Sequence, residues 1–236
     1  MRNTLDGARG SIMTEERRFG RLRLYNLIMG LFHLGQGSAT ILFEVPLGLA
    51  VATFIFMSAF AHFLIASPPV YPWYVKNLKR NRNYARWIEY AFSSSLMVVL
   101  IGMLPGVFDI AAIIGIFGAN ASMLLFGLLM EHYEEPGSPN WMSFIFGCIT
   151  GIVPWLALGV YLWSPGSASN PPAFVYWIFV SMFVFFNSFA INMVLQYKKI
   201  GPWRDYLVGE VTYVLLSLTA KSLLAWLVFA NTLIPT

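Results

Sequence analysis

The sequence predicts an all-α membrane protein, a seven-transmembrane-helix bundle in one domain. Three observations predict it. Of 236 residues, 58% are hydrophobic and 11% are charged, where a soluble domain carries roughly 25% charged residues. Seven runs have the length of about 20 mostly apolar residues that a bilayer-crossing helix needs. Nearly all lysines and arginines fall between those runs, in segments that share one side.

The elements follow in order. Residues 1–23 are polar and basic, with no apolar stretch of the kind a signal peptide carries. The first span covers 24–44 and places His33 and Gln36 on one face, three residues apart. The second, 46–66, follows after only Glu44-Val45-Pro46 and places Ser58 one turn before His62. The third, 84–104, comes after the Pro68-Pro69 turn and a basic loop, with Glu89 near its start. The fourth, 108–131, has Pro105-Gly106 before it and Pro136-Gly137-Ser138-Pro139 after it. The fifth, 141–163, holds Cys148, the single cysteine, so an internal disulfide and a Cys–Cys metal pair are both excluded. Pro165-Gly166 and Pro171-Pro172 lead to the sixth, 173–196, and Gly201-Pro202 precedes the seventh, 207–233. Trp and Tyr near the span ends, among them Tyr25, Trp87, Trp141, Trp177 and Tyr206, form aromatic belts. None of the runs alternates polar and apolar residues as barrel strands do.

Charge sets the orientation. Of the 15 lysines and arginines, six precede the first span, five lie between the second and third, and three between the sixth and seventh. The segments on the other side have none. The positive-inside rule puts the N-terminus in the cytoplasm and the C-terminus outside. The expected place is the cell membrane, with the bilayer as one partner and anionic headgroups against the basic clusters. Nothing points to nucleic acid.

The fifteenth cation is Lys221, near the middle of the seventh span. A lysine at bilayer depth is expensive and marks a functional site by default. Its neutral amine condenses with carbonyls to form a Schiff base, and the membrane-embedded carbonyl that fits is retinal. Glu89 has two readings. It pairs with Arg86, three residues back on the same helix face, or it is the counterion of a cation at Lys221. Lys221 lies 15 residues from Tyr206, roughly 22 Å along a helix. Its side chain tilts back toward Glu89, yet a gap of about two turns remains. The gap closes if the third helix begins within Lys76 to Arg82 or the seventh begins deeper.

Ser217, one turn before Lys221, bonds its own helix carbonyl or sits beside the Schiff base. His33 and Gln36, with Ser58 and His62, can face a shared polar cavity holding water. Zinc on the histidines and Glu89 is a competing reading, although no His-x-x-x-His spacing occurs. His132 is expected in an exposed loop.

Two stretches carry a resemblance: Ser-Leu-Thr-Ala-Lys-Ser-Leu-Leu-Ala-Trp (217–226) and Arg-Trp-Ile-Glu-Tyr-Ala-Phe-Ser-Ser-Ser-Leu-Met (86–97). They resemble heliorhodopsins, retinal proteins of inverted topology. His-Leu-Gly-Gln (33–36), Ser58 with His62, Phe-Gly-Ala-Asn-Ala-Ser-Met (117–123) and the run 185–198 extend the match over all seven spans. The resemblance implies that Lys221 carries all-trans retinal within a retinal-binding domain of 24–234. Glu89 would be the sole carboxylate counterion and Ser217 its neighbour. His33, Gln36, Ser58 and His62 would belong to a polar cavity on the cytoplasmic side. Ser94, Met97, Asn120, Met123, Gly127 and Trp226 would line the chromophore, and Phe179, Phe183 and Phe186 would pack on the polyene. A homodimer and a cytoplasmic signalling partner are expected too. Family members often fold the loop between the first two helices as a small sheet. Here Glu44-Val45-Pro46 is too short for one.

A pump of the ordinary microbial type would carry a carboxylate one turn before the lysine, where this chain has Ser217. It would also carry a proton donor eleven residues after the counterion, where this chain has Leu100. Asp109, Glu131 and Glu210 lie at or near span ends. The expected function is therefore light sensing without ion pumping, and not enzymatic catalysis. Isomerisation at Lys221 would move a proton into the Glu89–histidine cavity and produce a slow conformational readout. The alternatives are a light-driven proton transporter or channel, a zinc-dependent membrane hydrolase and a chromophore-free bundle.

Overall fold

The computed structural model describes residues 2–42, 47–163 and 171–232, with side chains described from 14 to 230 within those ranges. The Glu44-Val45-Pro46 joint, the Pro165-Gly166 turn and the end of the seventh span lie outside the described residues. Among the described residues the chain is all-helical: α1 (Arg2–Leu42), α2 (Gly48–Ala66), α3 (Tyr71–Leu78), α4 (Tyr84–Met103), α5 (Ile110–Tyr133), α6 (Met142–Trp163), α7 (Ala173–Tyr197) and α8 (Tyr206–Thr232). A short 3-10 turn, Gly201–Arg204, precedes α8.

The seven expected spans correspond to α1, α2, α4, α5, α6, α7 and α8. Five of them, α2 and α5 to α8, are long and apolar enough to cross a membrane. The other two carry polar residues along their length: Asn26, His33 and Gln36 on α1, and Arg86, Glu89 and three serines on α4. The sequence reading differs at two places. The expected boundary at residue 23 falls inside α1, which runs unbroken from Arg2. And the basic loop contains α3, with Pro72 in its first turn and Lys76 in its last, both favourable positions.

Local chemistry fixes the helix starts. Asn83 caps α4 by accepting from Arg86 N at 3.1 Å, and Asp109 caps α5 by accepting from Ala112 N at 2.9 Å. Pro154 sits inside α6, as neighbouring helices permit in membrane proteins. The helices pack around three clusters of buried apolar residues. α1 packs on α2, α2 on α4, α4 on α5, α5 on α6 and α7 on α8, while α8 returns to α1. Three helical glycines make close contacts inside the bundle. Gly151 meets the Met123 side chain of α5, Gly147 lies against Phe126, and Gly102 lies against Leu158 of α6. These glycines therefore serve packing within the chain. α6 meets α7 through rings: Trp155 stands edge-on to Phe179, Phe183 and Phe186 at 5.3–5.5 Å between centroids. Arg18 pairs with Asp205, and Lys79 with Glu15 at 3.2 Å, tying the basic end together at its surface.

Candidate functional site

The site begins at one face of α8. Tyr213, Ser217 and Lys221 recur every four residues, so they share that face, and all three are buried. Lys221 Nζ donates to Glu89 Oε1 at 2.9 Å and to Ser217 Oγ at 3.0 Å. It also lies 5.2 Å from the centre of the Tyr90 ring. Ser58 donates to the same carboxylate oxygen at 2.6 Å. The lysine and glutamate side chains are only 3% and 9% exposed, so the pair is shielded from solvent.

The depth gap is thus closed, although α4 begins no earlier than Tyr84 and α8 no later than Tyr206. The reason is register. Asn83 Nδ2 donates to Glu210 Oε2 at 2.6 Å, so α8 has already run four residues when it comes level with Asn83. From that level Glu89 is six residues along and Lys221 eleven. At 1.5 Å per residue the Cα atoms differ by about 7–8 Å, which a lysine tail tilted toward its helix N-terminus spans.

Arg86 is not the partner of Glu89. Its Nη2 donates to Glu131 at 3.0 and 3.1 Å and to Glu210 at 3.0 Å. The Trp87 indole N–H and the Tyr206 hydroxyl also donate to Glu131. Glu131 and Glu210 lie near span ends, as the sequence suggests, but they are buried and ion-paired instead of interfacial.

On the α1–α2 side, His33 and His62 stack with centroids 5.7 Å apart, and His62 Nδ1 meets Asn26 Oδ1 at 2.8 Å. Both ring nitrogens of His33 are buried with no hydrogen-bond partner among the described residues. Gln36 donates to Ser222 Oγ at 2.6 Å. Among the described residues no three His, Cys, Asp or Glu side chains form a metal-binding group. The zinc reading therefore finds no ligand set: Glu89 is engaged by Lys221 and Ser58, and the histidines face each other. His132 pairs with the Tyr84 hydroxyl at 2.7 Å.

On the opposite side of Lys221 lies an apolar cavity of about 120 Å³. Of the residues expected around a chromophore, Ser94, Met97, Met123, Gly127, Phe186, Ser217 and Lys221 line it. Asn120 stands behind the wall and donates to Ser94 Oγ at 2.9 Å and Ser95 Oγ at 3.0 Å. Trp226 lies elsewhere, in a small crevice with Gln36 and Thr40 of α1, and is 49% exposed. Five residues past Lys221, it points about 140° around the helix from it. Phe179 and Phe183 pack on Trp155, and only Phe186 of that stripe reaches the cavity. Sequence reasoning missed Trp87, Tyr90, Phe144, Phe189, Met193 and Tyr213, which also line it. The spacing of Tyr213 eight residues before Lys221 was the available signal for one of them.

With this geometry in hand, the comparisons are specific. A family model described as Heliorhodopsin matches residues 38–233. Among solved structures, the chain is similar to a light-driven proton pump from Leptosphaeria maculans, with 16% identity, a TM-score of 0.67 and coverage of 91% of this chain and 94% of that one. It is also similar to a cyanorhodopsin from the cyanobacterium Tolypothrix sp. NIES-4075, with 16% identity, a TM-score of 0.64 and coverage of 88% and 93%. At that identity the likeness concerns the fold alone. No curated protein sequence matches.

Proposed function

The chain belongs to the heliorhodopsin family, and from that premise we propose that it is a photoreceptor that senses light without pumping ions. Membership makes it a multi-pass membrane protein of retinal-binding rhodopsin type, and points to a photoreceptor or ion transporter rather than a classical enzyme. The residues present fit retinal: a single buried lysine amine lines an apolar, ring-lined cavity. That juxtaposition of Lys221 and cavity carries the proposal.

In this reading Lys221 holds all-trans retinal, and the aromatic and methionine side chains of the cavity hold its apolar body. When bound there as a Schiff base, retinal supplies light absorption and isomerisation. The chain's own residues do the rest. Glu89 compensates a positive charge on the lysine nitrogen from 2.9 Å, and Ser58 holds the carboxylate oriented. Ser217 accepts from the same nitrogen and has no acid function. A proton leaving that nitrogen meets Glu89 Oε1 first, with the His62–His33 stack beyond it.

The non-pumping part rests on two positions. Ser217 stands one turn before the lysine and Leu100 stands eleven residues after Glu89, so neither holds a titratable group. A proton path through a membrane needs such groups along its length. The charge distribution supports a cytoplasmic basic end, and we place the signalling partner there. A homodimer belongs to the same reading.

The test is direct. Purified protein given all-trans retinal should gain a visible absorption band that Lys221→Ala lacks and hydroxylamine bleaches. A preparation that stays colourless refutes the photoreceptor. A light-driven, protonophore-sensitive pH change in intact cells refutes the absence of transport.

A further inference from the structure

We propose that Arg86, Glu131 and Glu210 form a second proton-binding site, joined to the cavity through Trp87. Its coupling to light rests on the photoreceptor reading, whereas its proton binding does not. The three side chains come from the first turn of α4, the last turn of α5 and the second turn of α8. They are 4%, 4% and 2% exposed.

The charges there do not cancel. One guanidinium faces two carboxylates, leaving an excess of one negative charge. A buried charge without compensation is costly enough that a titratable site neutralises itself instead. Two carboxylates around one cation then take up that proton as a unit. The other groups facing the cluster add no positive charge. Asn83 donates to Glu210 and Tyr206 to Glu131. Tyr74 of α3, Tyr197 of α7 and Tyr213 of α8 turn phenols toward it, and Glu134 lies beyond Tyr197. His132, next in sequence to Glu131, is turned to Tyr84. The proton comes from water at the basic end, where these helices begin or finish. The bond formed is a carboxyl O–H on Glu131, with the Glu210 charge beside it, and release breaks the same bond.

Two rings separate the cluster from the cavity. Trp87 and Tyr213 both line the cavity, and their rings lie 4.4 and 3.8 Å from the Arg86 guanidinium carbon. The Trp87 indole also donates its N–H to Glu131. A cavity ligand that displaces the indole withdraws that donor from the carboxylate, and so favours the O–H form.

The test uses infrared difference spectra of the full-length protein in lipid nanodiscs. In the dark, acid-minus-alkaline spectra of wild type should contain a buried carboxylic C=O band that is lost in Glu131→Gln or Glu210→Gln. Superimposable spectra overturn the proton site. Should both variants fail to fold, 13C-glutamate labelling in a Glu89→Gln background replaces them, and absence of any labelled buried C=O band overturns the site equally. In the light, at equal pigment, Trp87→Phe should reduce the light-induced carboxyl change at least twofold, and an unchanged band overturns the coupling. If no pigment forms, the photoreceptor reading fails while the dark titration still decides the proton site.

Discussion

Gly127 faces the indole of Trp87 so closely that a methyl group on the glycine would enter the ring's van der Waals shell. The glycine therefore sets where the indole stands, and with it one wall of the cavity. Overpacking at such a contact costs about 1–3 kcal/mol. Gly127→Ala should lower the yield of retinal-dependent pigment and the thermal midpoint, and Gly127→Leu should abolish the pigment. Absorbance at equal protein concentration checks this. Full pigment in Gly127→Leu would show that the chromophore lies elsewhere.

Removing the carboxylate beside Lys221 should be read in colour. Glu89→Gln leaves the lysine nitrogen without its compensating charge at 2.9 Å. The absorption should move to longer wavelength, or the protonated form should be lost at neutral pH. Ser58→Ala, which removes only a hydrogen bond to Glu89, should shift the band less. An unaltered Glu89→Gln spectrum would eliminate Glu89 as counterion.

The two arginine pairs at the basic end should differ sharply in stability. Arg86→Ala strands two buried carboxylates and should cost about 3–5 kcal/mol. Arg18 and Asp205 are 46% and 43% exposed, and breaking an exposed pair costs about 0–1 kcal/mol. Unfolding in a single detergent compares them. Equal losses would mean that the Arg86 cluster is not the buried anchor of the α4, α5 and α8 ends.

Trp155 joins α6 to α7 through three phenylalanine rings. Trp155→Ala should cost about 3–5 kcal/mol. Because Phe186 also lines the cavity, the same variant should broaden or shift the pigment band. Trp226→Ala, on the far face of α8, should leave the band in place. The reverse pattern would contradict the cavity assignment.

Hydropathy revealed the seven long helices because apolar runs dominate them, continuously in α2 and α5 to α8 and interrupted by polar residues in α1 and α4. It missed α3, whose eight residues are too short and too mixed in polarity to register. Lys221 was legible as an anomaly, and Ser217 and Tyr213 followed from its helical face. The approach of Glu89 to Lys221 was not, because it depends on the relative heights of two helices. That height is fixed by Asn83 and Glu210, which are 127 residues apart in the chain. The partners of Arg86 were hidden for the same reason: Glu131 and Glu210 are distant in sequence, while Glu89 is near and wrong. Trp226 was misplaced because similarity of residues says nothing about the angle a side chain takes around its axis.

The Asn83–Glu210 register has a consequence for how the protein is made. α8 leaves the ribosome after the other seven described helices, and it brings one acid, Glu210, and one base, Lys221. Their partners, Arg86 and Glu89, are already waiting on α4. Docking must close both circuits together, since a slip of one turn would break both. α8 thus acts as a key cut with two teeth: the bundle accepts it in a single position or leaves four charges stranded in lipid.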